Sequence, residues 1–126
     1  MDAQFSPDSP AAVSEAFVTA INTGDLPAAL ALYRQDAVML APDGSQARGA
    51  KAISELLGGV VSMQVHMTTR IKNVIETGDI AVAAEEWTMR LRGPDGTSSD
   101  QSGHSIVLFT REHAGWRFLL DAPWGL

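Results

Sequence analysis

Near the start of the chain, apolar residues twice recur at helical spacing. Val13, Phe17, Ala20 and Ile21 form the first stripe, and Leu26, Ala29, Leu30 and Tyr33 repeat the pattern after Gly24-Asp25. The first helix should begin at Ser9-Pro10, because the Ser oxygen accepts from an orphan backbone N–H and Pro at the first helical position has no donor to waste. Gly24 should end it. Asp25 then caps a second helix that tolerates Pro27 in its first turn. Ala37 to Ala41 reads as a short strand, Pro42-Asp43-Gly44 as a turn, and Ser45 to Gly49 as a polar loop. A third helix is expected over roughly Ala50 to Val60, burying Ile53, Leu56, Leu57 and Val60, with Gly58-Gly59 weakening its end.

Beyond this point the period changes from helical to alternating. Val65, Met67, Thr69 and Ile71 fall on one side of a strand, and His66, Thr68, Arg70 and Lys72 on the other. The Gly78-Asp79 turn leads into Ile80 to Arg92, where Ala81, Ala83, Glu85, Trp87, Met89 and Leu91 share a face. Gly93-Pro94-Asp95-Gly96 is a turn, and Thr97 to Ser102 a loop or weak strand start. Gly103 to Thr110 is apolar on both faces, so both need covering: helices cover one, and a second subunit is the candidate for the other. In the last strand, Trp116 to Trp124, regular alternation sets Phe118, Leu120, Ala122 and Trp124 against Arg117, Leu119 and Asp121. The expected architecture is α+β: three N-terminal helices on one face of a curved, mainly antiparallel sheet, with any ligand held between the layers.

Composition narrows the function classes. At 126 residues the chain is one domain, with residues 1–8 expected as a flexible arm. The net charge of −6, with only nine dispersed Lys and Arg, argues against nucleic acid and against an anionic membrane surface. Without cysteine there are no disulfides, thiol nucleophiles or Cys-ligated metals. The acidic, turn-rich opening lacks the pattern of a secretory signal, and no apolar run reaches the length of a membrane span, so a cytoplasmic protein is expected.

Glu85 is the only charged residue on the Ala81 to Leu91 face. A carboxyl walled by apolar groups resists ionisation and can act as acid or base near neutral pH, unless it reaches water at an edge or pairs with an Arg. Asp121 is the second candidate acid, although regular alternation turns it away from Leu120 and Trp124, where it would instead tie down the last strand or a dimer. His66, His104 and His113 share no metal-ligand spacing, and His104 and Ser105 point to opposite faces, so neither a metal nor a nucleophile-base pair is suggested. No Gly-rich phosphate cradle joins a strand to a helix, so no nucleotide cofactor is expected. The candidate wall of a ligand cavity comprises Phe17, Tyr33, Met39, Trp87, Phe109, Phe118 and Trp124, with Tyr33, Ser105 and Trp87 as hydrogen-bonding handles. Packed without a cavity, the same side chains are simply core.

Several segments together resemble the nuclear-transport-factor-2-like superfamily, which includes ketosteroid isomerase and the SnoaL-type cyclases, and within it the small SgcJ/EcaC and DUF4440-type bacterial proteins. They are Ile21-Asn22-Thr23-Gly24-Asp25, Ala37 to Gly44, Arg48-Gly49-Ala50-Lys51-Ala52-Ile53, the Gly78-Asp79 turn, Gly115-Trp116-Arg117, and Asp121 to Gly125. The resemblance implies a cone-shaped cystatin-like fold with a pocket between helices and sheet, and a homodimer formed through the outer sheet face. It also implies that the Asp, Tyr and Asp of ketosteroid isomerase are absent, because the corresponding positions hold Ala41, Phe17 and Ser105. Two functions follow as expectations. One is a mostly apolar pocket for a small organic molecule, with proton transfer, dehydration or cyclisation assisted by Glu85; the other is a non-catalytic binding or assembly domain.

Overall fold

The computed structural model describes residues 7–113 and 115–126. In chain order the elements are α1 (Pro10–Thr23), α2 (Leu26–Leu30), β1 (Tyr33–Leu40), β2 (Gln46–Arg48), α3 (Gly49–Ser62), β3 (His66–Thr77), β4 (Ile80–Arg92), β5 (Ser98–Glu112) and β6 (Gly115–Ala122). The strands form one sheet in the order β2-β1-β6-β5-β4-β3. All neighbours pair antiparallel except β1 and β6, which run parallel. The helices lie over one face, with α1 against β3 and β6 and α3 against β1 and β2.

Local chemistry sets the helix ends as the residue types require. Ser9 caps α1 by accepting the Ala12 N–H at 3.1 Å. Gly24, at φ 72°, takes the left-handed conformation that closes α1, and Asp25 accepts the Ala28 N–H at 3.2 Å to open α2. Asn22 then ties this corner to the sheet: its side-chain amide donates to the Met67 carbonyl at 2.9 Å and its oxygen accepts the Met67 N–H at 2.7 Å. The end of α1 is thereby fixed against the start of β3.

Four boundaries differ from the expectation. The second helix stops at Leu30, and Tyr33 opens β1 instead of continuing the helical stripe. As a strand residue Tyr33 lies beside Phe118 of β6, and its buried hydroxyl finds an acceptor there that a helix would not offer. The polar loop contains β2, an exposed edge strand too short to show alternation. β5 begins at Ser98 because its first residues, polar and exposed on both faces, pair with the end of β4, which leaves no apolar alternation in β5 to read there. β6 stops at Ala122, so Trp124 lies beyond it.

Two bulges reset which side chains face the helices. In β3, Lys72 is the extra residue between the pairs Ile71–Glu85 and Asn73–Ala84. In β6, Phe118 pairs with Phe109 and Leu120 with Leu108, which leaves Leu119 as the extra residue. The strand therefore has the regular alternation expected only up to Phe118. Past the bulge Leu120 faces outward, and Asp121 turns to the helix side with Phe118.

Val13, Ile53, Leu57 and Phe109 are fully buried between the layers. Phe118 anchors the aromatic part of the core, stacked on Phe109 at 5.2 Å and edge-on to Phe17 at 5.7 Å. Phe109, a candidate for the cavity wall, is 0% exposed and belongs to this packing. Of the expected arm, Pro7 is buried and its carbonyl accepts the Trp116 N–H at 2.9 Å; residues 1–6 lie outside the described residues.

Candidate functional site

The two layers do not pack shut. Between them lies a cavity of about 340 Å³, within the range of small-molecule sites. α1 contributes Ser14, Phe17 and Ile21, spaced three and four residues apart on one helical face. β4 supplies Glu85 and Trp87, β5 supplies Ser105 and Val107, and the bulged β6 supplies Phe118 and Asp121. Nearly all of the remaining wall is apolar, and no Lys, Arg or His among the described residues lines it.

Two carboxyl groups are thus buried in an apolar cavity, and each is held by a hydroxyl. The Ser14 hydroxyl donates to Glu85 Oε2 at 2.8 Å, and the Tyr33 hydroxyl to Asp121 Oδ2 at 2.7 Å. Glu85 is 5% exposed and Asp121 7%. Loss of hydration raises the Glu85 pKa; the Ser14 hydrogen bond opposes the rise, and the nearby Asp121 charge adds to it. Burial pushes Asp121 up to about 6 against the lowering effect of the Tyr33 hydrogen bond. Tyr33 is itself driven well above its ordinary value by burial and by the adjacent Asp121, so it remains a donor throughout the physiological range. Chemically the cavity offers two carboxyls that keep their protons to higher pH than they would in water, Asp121 up to about 6.

The other expected site residues fall around these carboxyls. Phe17, Met39, Ser105 and Phe118 line the cavity, and Ser105 stands across from Glu85 in the β4–β5 register. Tyr33 is not part of the wall but stands behind it, packed against Phe17 and Phe118 and donating to Asp121. Trp87 is fixed at three points. Its indole N–H donates to the Pro123 carbonyl at 2.7 Å, Trp124 meets it edge-on at 5.4 Å, and Gly103 packs so closely that a Cβ there would come within 2.7 Å of the Trp87 ring. Trp124, 51% exposed, forms part of the mouth. Sequence reasoning missed Ser14, although its i, i+3, i+7 relation to Phe17 and Ile21 placed it on the buried stripe. Nothing in the sequence marked the bulge at Leu119 that turns Asp121 inward.

His66 and His104 are exposed on the outer face, and no group of three or more acids or histidines among the described residues is arranged to hold a metal. No helix is long and apolar enough to cross a membrane.

A SnoaL-like domain model matches residues 14–116, from the first cavity residue of α1 into β6. The chain belongs to the SnoaL-like family. No curated protein matches it in sequence. Among solved structures, a candidate calcium/calmodulin-dependent protein kinase type II association domain from Thiobacillus denitrificans superposes with a TM-score of 0.79 at 16% identity, covering 95% of this chain and 98% of that one. A ketosteroid isomerase-like protein from Erwinia carotovora atroseptica gives 0.78 at 24% identity, covering 89% of each chain. An NTF2-like protein with a cystatin-like fold from Novosphingobium aromaticivorans gives 0.75 at 20% identity, covering 87% of this chain and 75% of that one. At these identities the structures establish the fold, an α+β NTF2-like cone, and nothing of the chemistry. In this SnoaL-like domain Phe17, Ala41 and Ser105, the positions read as replacing the ketosteroid isomerase set, all line the cavity.

Proposed function

We propose that this SnoaL-like domain binds a small, largely apolar organic molecule with its uncharged reacting end inside the cavity, and that Glu85 and Asp121 move a proton on it. One observation carries the reading: two buried carboxyls share a cavity that no cation among the described residues lines, each held by a hydroxyl and each with a raised pKa. Like charges in one dry site disfavour joint ionisation. One carboxyl ionised and the other protonated is the combination that removes a proton beside a carbonyl while donating to its oxygen. Enolisation, dehydration and cyclisation all draw on that pair of steps. Phe17, Ala41 and Ser105 supply no acid, so the steroid-isomerase arrangement is not the route.

The outer sheet face supports a further element of this reading, a homodimer. Ile106, Leu108 and Leu120 are half-buried there with Ile80 exposed beside them, a patch that a second copy would cover. Within the superfamily, the segments around Ile21 to Asp25 and Arg48 to Ile53 favour the SgcJ/EcaC and DUF4440-type branch. A binding or assembly domain without catalysis is the alternative, favoured by the outer patch and by the missing isomerase set.

Deuterium exchange tests the proposal. A panel of uncharged cyclic ketones is incubated with the protein in D2O and loss of the α-proton signal is followed by NMR. Faster exchange than in buffer is expected for those that bind, falling in both Glu85→Gln and Asp121→Asn. Exchange at the buffer rate by a ketone that still shifts the Met39 and Met67 methyl signals would refute catalysis and leave a binding domain.

A further inference from the structure

The cavity is open at its mouth. A groove leads out of it, sharing Pro42, Val60, Met63, Trp87, Met89 and Trp124 with the cavity wall. It follows β4 past Leu91 to Arg92 and the Gly93-Pro94 turn, with Ser99 and Gln101 of β5 alongside. Met63, 44% exposed, and Trp124, 51% exposed, leave apolar surface at the junction.

Charge separates the two compartments. Among the described residues the cavity holds Glu85 and Asp121 and no cation, whereas the groove is lined by Arg92 and no carboxylate. In a chain of net charge −6 this is an inversion. The acids that next follow Arg92 in sequence are engaged elsewhere: Asp95 accepts from the Thr97 N–H and hydroxyl at 3.1 and 2.7 Å, and Asp100 accepts from Arg90 Nε at 3.1 Å. Arg92 makes no hydrogen bond or ion pair among the described residues.

We infer that groove and cavity are two halves of one elongated site, occupied by a single molecule with an uncharged apolar body inside and a flexible apolar tail ending in a carboxylate at Arg92. This rests on the small-molecule reading of the cavity and adds the ligand's class and direction. A carboxylate placed inside would be dehydrated beside two acids, whereas at Arg92 it keeps its water and meets an opposite charge. Met89 at the mouth and Arg92 are three strand residues apart, a backbone span of about 10 Å at roughly 3.3 Å per residue, and Arg92, the last residue of β4, borders the groove at the strand end beside the Gly93-Pro94 turn. The tail must bridge that distance over Leu91 and Pro94. A shorter acid leaves its charge in the mouth without a partner.

Methyl-labelled methionine NMR on the full chain tests both halves. Met39 and Met67 report on the cavity wall, and Met63 and Met89 on the junction. The probes are 4-phenylbutyrate and 10-phenyldecanoate, each with its matching primary alcohol, at low salt. The long acid is expected to shift all four methyl signals and to bind about threefold tighter than its alcohol, the scale of an exposed ion pair. The short acid should bind more weakly than its alcohol. In Arg92→Glu the long acid should lose its advantage while the long alcohol keeps its affinity. A long acid that binds no better than its alcohol, or keeps its advantage in Arg92→Glu, would overturn the inference. If no probe, alcohols included, shifts Met39 or Met67, the cavity reading itself fails.

Discussion

Asp121→Asn isolates the electrostatic cost of the site. The asparagine has nearly the same shape, and its oxygen can still accept the Tyr33 hydroxyl, so the main change is loss of a buried ionisable group. The folded chain holds the Asp121 proton up to about pH 6, whereas an ordinary Asp gives it up near 3.8. Between those values folding takes up a proton, so wild-type stability falls as pH rises through the window and the loss is complete above the folded value. A shift of about two pH units at 1.36 kcal/mol each is a loss of ~3 kcal/mol. Removing the Asp121 charge also withdraws one of the influences that raise Glu85, which acts in the same direction. Urea unfolding of both proteins from pH 4 to pH 8 is the assay. The variant should gain on wild type by ~2.4 kcal/mol between the ends of that range, with most of the change below pH 7. A pH-independent difference, or one that grows toward acid, would refute the placement of Asp121 as a buried carboxyl with a raised pKa.

Three further perturbations test neighbouring parts of the structure. Tyr33→Phe removes the hydrogen bond that lowers the Asp121 pKa, so the Asp121 carboxyl resonance should titrate above its wild-type midpoint; an unchanged or lower midpoint would contradict the contact. The same variant should cost about 1.5–3 kcal/mol at pH 8, where Asp121 is charged, as read by urea unfolding. Gly103→Ala forces a Cβ against the Trp87 ring and should cost about 1–3 kcal/mol while shifting Trp emission; an unchanged spectrum would show that the close approach is absent. Ile106→Asp places a charge on the outer apolar patch and should convert the proposed dimer to monomer by light scattering, whereas an unchanged mass would remove that interface.

The amphipathic stripe of α1, the alternation of β4 and the turns at Gly24, Gly78 and Gly93 to Gly96 were legible because each rests on residues adjacent in the chain. Glu85 was legible for the same reason, as the single charge in an inward row of apolar residues. Ser14 was within reach of the same periodicity, but a small polar residue on a buried stripe does not reveal whether it meets backbone, water or, as here, a carboxyl.

Tertiary pairing decided the remainder. The extra residue at Leu119 lies where β6 is paired antiparallel with β5 on one side and parallel with β1 on the other, and it reverses the facing of Asp121. As a strand residue beside β6, Tyr33 gives its buried hydroxyl an acceptor that lies 88 positions away. The sequence by itself determined α1, α3 and β4 and the face each buries, since period and turn chemistry are short-range properties. Only the folded sheet decided that two carboxyls share one cavity, because that depends on register between distant strands, and a one-residue slip changes the face on which every following side chain stands.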